Sequence, residues 1–267
     1  MNTKDLAKKY ESYIVEQRRY FHMHPELSLE EFETTEYIAK ELDKMGIPYI
    51  RPTATGLIGT IEGSGPGQCV GLRADIDALN VTEKTTVDYK SLNEGKMHAC
   101  GHDAHAAMLL GAAKILLECR NDFKGSVKVI FQPAEEVAQG AKELIAAGDW
   151  FNEVDNFFGA HIWSNSPSGT VSVEAGPRMA AADWFDIKVT GKSGHGSMPN
   201  QCVDAVVVAS AIVMNLQTLV SRETSPMDPL VVTVGTIKGG TRFNIIAGDA
   251  SMDGTNRYFS KDIANTI

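Results

Sequence analysis

The stretch Met97-His98-Ala99-Cys100-Gly101-His102-Asp103-Ala104-His105-Ala106-Ala107-Met108 gathers one cysteine, three histidines and one aspartate, in a chain of 267 residues that holds four cysteines and seven histidines. Thiolate, imidazole and carboxylate donors at one turn suit Zn²⁺ or a neighbouring divalent transition ion. Cys100 beside His102 or His105 is equally the donor pair of a thiol nucleophile and its base. A polar loop leading into a helix would need neither. On this stretch alone all three readings stand.

Working downstream, Met108, Leu109, Ala112, Ile115 and Leu116 keep helical spacing, which predicts a helix from Asp103 to about Cys119 with Asp103 as its N-cap. Residues 126–132 (SVKVIFQ) read as a strand ended by Pro133. Glu135 and Glu136 come directly after it, then a helix to about Ala147 capped by Gly148. Residues 156–161 and 169–175 read as two more strands. Upstream, residues 57–61 and 69–75 are short apolar strands around a Gly-rich turn, and Asp75 and Asp77 lie at the end of the second. Residues 3–23 read as one amphipathic helix stopped by Pro25. Ser28 to Glu31 fits a capping box for a second helix that ends at Gly46. Strands alternating with helices predict an α/β fold, a largely parallel sheet with helices on both faces. Asp75, the Glu135–Glu136 pair and His161 then all fall at the carboxyl ends of strands, where open α/β sheets hold their ligands.

Beyond about residue 177 the pattern changes. Strands are expected over 180–192, 230–237 and within 244–257, a long apolar helix over 202–222, and the start of a helix near Ser260. This is β-α-β-β and the beginning of a helix, an unfinished ferredoxin-like unit. The expected domains are therefore 1–176 and 177–267.

Composition narrows the function. A formal net charge of −9, with Lys and Arg scattered, argues against a nucleic-acid binder and leaves no basic patch for a membrane surface. Cys69, Cys100, Cys119 and Cys202 are too widely spaced for a CxxC site or a disulfide framework. The residues after Met1 lack the apolar segment of a secretory leader, no apolar run reaches membrane-spanning length, and a cytoplasmic location is expected. Cys69, Cys119 and Cys202 are expected to be inert core thiols, and Trp163 and Trp184 packing residues. Asp75 and Asp77 either orient a ligand or form turns; His98 and His105 are candidates to orient one, and His22 and His24 are packed or surface histidines in reach of a site.

The motifs RRYFHMHPELSLEE (18–31), GLRADIDAL (71–79), MHACGHDAH (97–105), FQPAEE (131–136), GAHIW (159–163), GKSGHGSMP (191–199) and GTNRYFS (254–260) occur in that order. Together they resemble the aminoacylase/carboxypeptidase metallopeptidases, in particular the amidohydrolase branch of hippurate hydrolases, N-acyl-amino-acid amidohydrolases and auxin-conjugate hydrolases. The resemblance implies a zinc-peptidase-like catalytic domain and an inserted ferredoxin-like lid domain through which two copies dimerise. It implies two divalent ions (Zn, Mn or Co) on Cys100, His102, Glu136 and His161, with Glu135 as general base and then acid. His195 falls on a lid histidine that reaches the partner's site, and Asn244 and Arg257 near lid positions that grip a substrate carboxylate. Members of the family are longer and supply one further histidine ligand after the lid. No histidine follows His195 here, so the resemblance implies a C-terminally incomplete chain. The expected activity is metal-dependent hydrolysis of an N-acyl amino acid or related small amide. A catalytically silent metal-binding or dimerisation module is the alternative, and a cysteine hydrolase using Cys100 a third.

Overall fold

The computed structural model describes residues 2–265, and the chain parts into two compact units between Gly169 and Thr170.

In the first unit the expected N-terminal helix is two, α1 (Thr3–Lys9) and α2 (Glu11–Met23). The chain turns at Tyr10, whose hydroxyl and the neighbouring Lys9 ammonium both bond the Glu118 carboxylate. Helix α3 (Phe32–Met45) ends on Gly46 at φ 70°, as the sequence predicts. Its start differs from the predicted capping box. Glu26 does the capping, accepting the Glu33 and Thr34 N–H groups at 3.2 and 2.7 Å, while the Glu31 side chain turns elsewhere.

Strands β1 (Tyr49–Ile50), β2 (Leu57–Glu62) and β3 (Cys69–Asp75), helix α4 (His102–Glu118), strand β4 (Ser126–Gln132), helix α5 (Gly140–Ala146) and strand β5 (Asn156–Gly159) follow. The sheet order is β1-β2-β4-β3-β5. Only β4–β3 and β3–β5 are parallel, so the sheet is mixed rather than largely parallel; β4 enters between β2 and β3 and runs antiparallel to β2. Neighbouring residues of a strand face opposite ways. Phe131 therefore packs with Phe21, Ile38, Leu42 and Leu110 from α2, α3 and α4, while Ile130 packs with Ile58, Leu144 and Trp150 on the other side. Burial on both faces is why β4 reads as an uninterrupted apolar run. The segment 169–175, expected to be a strand, is irregular; Val171 and Val173 are exposed and, among the described residues, pair with no neighbour strand.

The second unit contains β6 (Ala181–Thr190), β7 (Gly194–His195), α6 (Ala205–Thr218), β8 (Leu230–Gly239), β9 (Ile245–Ile246), β10 (Asp249–Tyr258) and α7 (Lys261–Ala264). Strand β10 lies between β6 and β8, antiparallel to both, which makes β6-α6-β8 a split β-α-β unit. Asp204 caps α6 through the Val206 and Val207 N–H groups. The helix and the turn after it, Ala205–Glu223, have the length and apolar composition of a membrane span, contrary to the sequence reading, with only 11% of the window buried. Ala205 and Ala209 nonetheless seat α6 against Ala250 and Met252.

Candidate metal centre

Four segments of the first unit bring the site together. Cys100 and His102 flank the start of α4, where Gly101 sits at φ 88°; a Cβ there would come within 2.3 Å of the Ile162 side chain. Asp103, the expected N-cap, lies inside the first turn instead and accepts hydrogen bonds from Arg18 (2.9 Å) and His22 (2.8 Å). Glu135 and Glu136 follow β4 in a tight turn rather than in a helix, which begins only at Gly140. His161 lies two residues past β5.

The donors converge. Cys100, His102 and His161 offer ligand atoms all within 4.8 Å of one another, as do His102, Glu135 and Glu136, and Asp75, His102 and His105. Cys100 Sγ is 3.4 Å from His161 Nε2. His102 Nε2 is 3.8 Å from Glu136 Oε1 and 4.0 Å from Glu135 Oε2. Of the predicted residues, Asp75, Cys100, His102, His105, Glu135, Glu136 and His161 thus lie together.

Backbone and carboxylate partners fix this set. His102 Nδ1 donates to the Asp77 carbonyl at 2.9 Å, with Asp77 Oδ1 at 3.2 Å. Its Nε2 is left pointing into the cluster. Asp77 Oδ2 accepts the Glu136 N–H at 3.0 Å and the Ser28 hydroxyl at 2.7 Å, so one buried carboxylate orients two of the donors. Asp75 accepts from His105 Nδ1 at 2.5 Å, and His105 Nε2 in turn accepts the N–H of Ile162, pinning the segment that carries His161. Burial alone would raise the Asp75 pKa, but the His105 hydrogen bond and the Arg73 charge prevail and hold it down to about 2.

Two atoms test whether a cation fits. Among the described residues, His102 Nε2 and Glu136 Oε1 are buried without a hydrogen-bond partner, and a buried polar atom is costly to leave unmatched. Burial and the negative charges of Glu136 and Glu135 push the Cys100 thiol up to about 12. Such surroundings disfavour a free thiolate nucleophile, whereas a divalent ion would reverse them. A cluster of imidazole, thiol and carboxylate donors around the buried His102, with Cys100, Glu135 and Glu136 half-buried and His161 exposed, fits a divalent transition metal.

Residues 71–259 match the family described as peptidase family M20/M25/M40. The chain belongs to that family. It is similar to the N-acyl-L-amino acid amidohydrolase of Geobacillus stearothermophilus, with 41% identity over 99% of this chain and 72% of that protein. It is also similar to an IAA-amino acid hydrolase of Arabidopsis thaliana, with 45% identity over 96% of this chain and 58% of that protein. Among solved structures, a dinuclear metal binding peptidase of the M20 family from Bacillus subtilis superposes with a TM-score of 0.82 at 37% identity, covering 97% of this chain and 67% of that one. The chain therefore spans between about three-fifths and three-quarters of these relatives' length.

For this M20 chain, the remaining predicted residues belong to the second unit. His195 pairs across β7–β9 with Ile245, next to Asn244, whose carbonyl accepts the Gly196 N–H; Ser197 bonds His195 Nδ1 at 2.8 Å. Arg257 lies on β10, bonded to Thr255 and the Asn256 carbonyl. Trp163 and Trp184, expected to pack, are 56% and 84% exposed. Cys69 and Cys119 are buried as expected, and Cys202 is half-buried. Sequence reasoning left Asp77 undecided between ligand support and turn; its spacing from Asp75 was the available signal.

Proposed function

We propose that this chain is the metal-binding part of a metal-dependent amidohydrolase that cleaves the amide bond of an N-acyl amino acid or similar small amide. The convergence of Cys100, His102, Glu135, Glu136 and His161 around unpartnered His102 Nε2 and Glu136 Oε1 carries this reading. The names of the relatives support the substrate class. Cys100, His102, Glu136 and His161 would hold two divalent ions of the Zn, Mn or Co type, which supply Lewis acidity and lower the pKa of a water.

The residues divide the remaining work. Glu135 is adjacent to Glu136, so one side chain is free to carry protons while the other ligates. Burial, and then the Glu136 charge, raise the Glu135 pKa, which suits a group that takes a proton from water and returns it to the leaving nitrogen. His195, held through Nδ1 by Ser197, would steady the oxyanion. Asn244 and Arg257 would grip the substrate carboxylate. In this reading residues 1–176 form the catalytic domain and 177–267 the lid, and two lids pair. The exposed Val207 and Met214 on α6 support such pairing. The protein would work in the cytoplasm.

Metal analysis combined with hydrolysis of a hippurate-type substrate tests the proposal. Chelator-sensitive turnover, lowered ~10²–10⁴-fold by Glu135→Gln with metal retained, is the expected result. Bound metal without turnover would mark a silent metal-binding module, and chelator-resistant activity lost on alkylating Cys100 would refute both.

A further inference from the structure

Glu31 is fully buried, yet neither the capping of α3 nor the donor cluster uses its side chain. The helix N–H groups it would cap are taken by Glu26. Its Oε1 instead accepts the Ala134 N–H at 2.7 Å, across 103 residues of chain.

Ala134 opens the turn that carries Glu135 and Glu136, and that turn is wound against its own preference. Ala134 and Ala138 sit at φ 50° and 55°, a region that residues with a Cβ rarely enter. The turn closes through Ala138 N–H on the Glu135 carbonyl (2.8 Å) and Gly140 N–H on the Ala134 carbonyl (3.2 Å). It is so tight that a Cβ on Gly140 would fall 1.7 Å from the Pro133 carbonyl oxygen. Ala134 is 0% exposed, so water cannot replace the Glu31 acceptor, and its loss leaves a buried donor unmatched. Asp77 takes the Glu136 N–H at 3.0 Å. Glu135 is thus bracketed by two N–H groups, each held by a buried carboxylate from a distant segment.

We propose that Glu31 is a positioning residue: through the Ala134 N–H it holds the 133–140 turn in the conformation that presents Glu135 and Glu136 to the donor cluster. This rests on the reading of Glu135 and Glu136 given above. The acceptor geometry does the holding, so an amide serves as well as a carboxylate.

The test uses the full chain as Glu31→Leu, Glu31→Gln and Glu135→Gln, with Co²⁺ as the probe. In Glu31→Leu, hydrogen exchange in the 133–138 segment rises at least about tenfold while α2 and α4 keep their protection. The midpoint of the cobalt ligand-field band shifts ~10–100-fold to higher Co²⁺, and kcat falls with KM within about threefold. Glu31→Gln stays within about threefold of the parent in all three. Unchanged exchange and cobalt binding in Glu31→Leu would overturn the proposal. So would a uniform loss of protection across the first unit, or a Glu31→Gln variant as impaired as Glu31→Leu. If Glu31→Leu does not fold, Glu31→Met, which also removes the acceptor, is read by the same exchange and cobalt criteria. Glu135→Gln separates the two levels. Cobalt uptake without turnover in the parent chain breaks the amidohydrolase reading and leaves the exchange and cobalt arms to judge Glu31. Absence of cobalt uptake breaks the metal reading, and exchange alone then judges the clamp.

Discussion

The residues that support the donor cluster in the first unit and the candidate residues of the second are held in opposite ways. In the first, Asp75, Asp77, His102 and His105 are at most 2% exposed, and each is tied to a partner more than 20 residues away. In the second, His195, Asn244 and Arg257 are exposed, and the side-chain hydrogen bonds of His195 and Arg257 are to residues one or two positions away. Burial with long-range partners fixes a geometry before any ligand arrives; exposure with local partners leaves side chains free to adjust. A two-ion centre needs the first arrangement, because ligand atoms must be placed to a fraction of an ångström. Groups that meet a variable substrate work with the second.

Five predictions can break or sharpen this contrast. The cores should differ most. Phe131→Ala should cost ~3–5 kcal/mol in the first unit, and Met252→Ala ~2–3 kcal/mol in the smaller cluster of the second. Hydrogen exchange in denaturant, resolved by unit, measures both, and an equal or larger loss at Met252 would erase the distinction. Next, Asp77→Ala should weaken metal binding ~10–100-fold in equilibrium dialysis, because His102 and Glu136 lose their shared anchor. His195→Ala should leave metal affinity where it was and lower turnover alone. A smaller effect is expected at Asp204, where replacement by Ala removes the cap of α6 and costs ~1 kcal/mol, confined to the second unit's exchange.

The smallest effect is a pH dependence in the first unit. The Asp103 hydrogen bond, opposed by burial, raises the His22 pKa, so its stabilisation is full below about 6.5 and fades as pH rises through the folded value. Asp103 is shifted the other way: burial opposes, but the His22 bond prevails, so its contribution is present above about 3.9 and fades as pH falls through its depressed value. Exchange protection of α2 and α4 should therefore peak in mildly acidic buffer. His22→Gln should flatten the decline on the alkaline side; an unchanged profile would remove the pair from the account.

Much of the first unit was legible because its signals are local. Strand β4 was bounded to the residue by an apolar run ending at Pro133, Gly46 marked the end of α3, and the donors fell at strand ends and a helix start. Pairing was not legible. Nothing in residues 126–132 says that β4 enters between β2 and β3, and alternation in 169–175 imitates a strand that finds no partner. The supports of the site were hidden for the same reason. Glu31 satisfies the capping-box pattern by spacing, yet its acceptor meets a donor 103 residues away, and Glu26 caps the helix from outside the pattern. Gly101 and Gly140 are required by an Ile162 side chain and a Pro133 carbonyl, which only the folded chain brings near.

Strand β5 carries a practical consequence. Among the described residues it is one of the two edge strands of its sheet, with all four residues exposed and Phe158 62% exposed. An unpaired ladder edge beside a bare aromatic ring invites strand-to-strand growth between molecules. Among the described residues this rim is therefore open to pairing with a further strand or with another molecule. Phe158→Lys, compared with the parent by size-exclusion chromatography at rising concentration, shows whether the rim pairs between molecules.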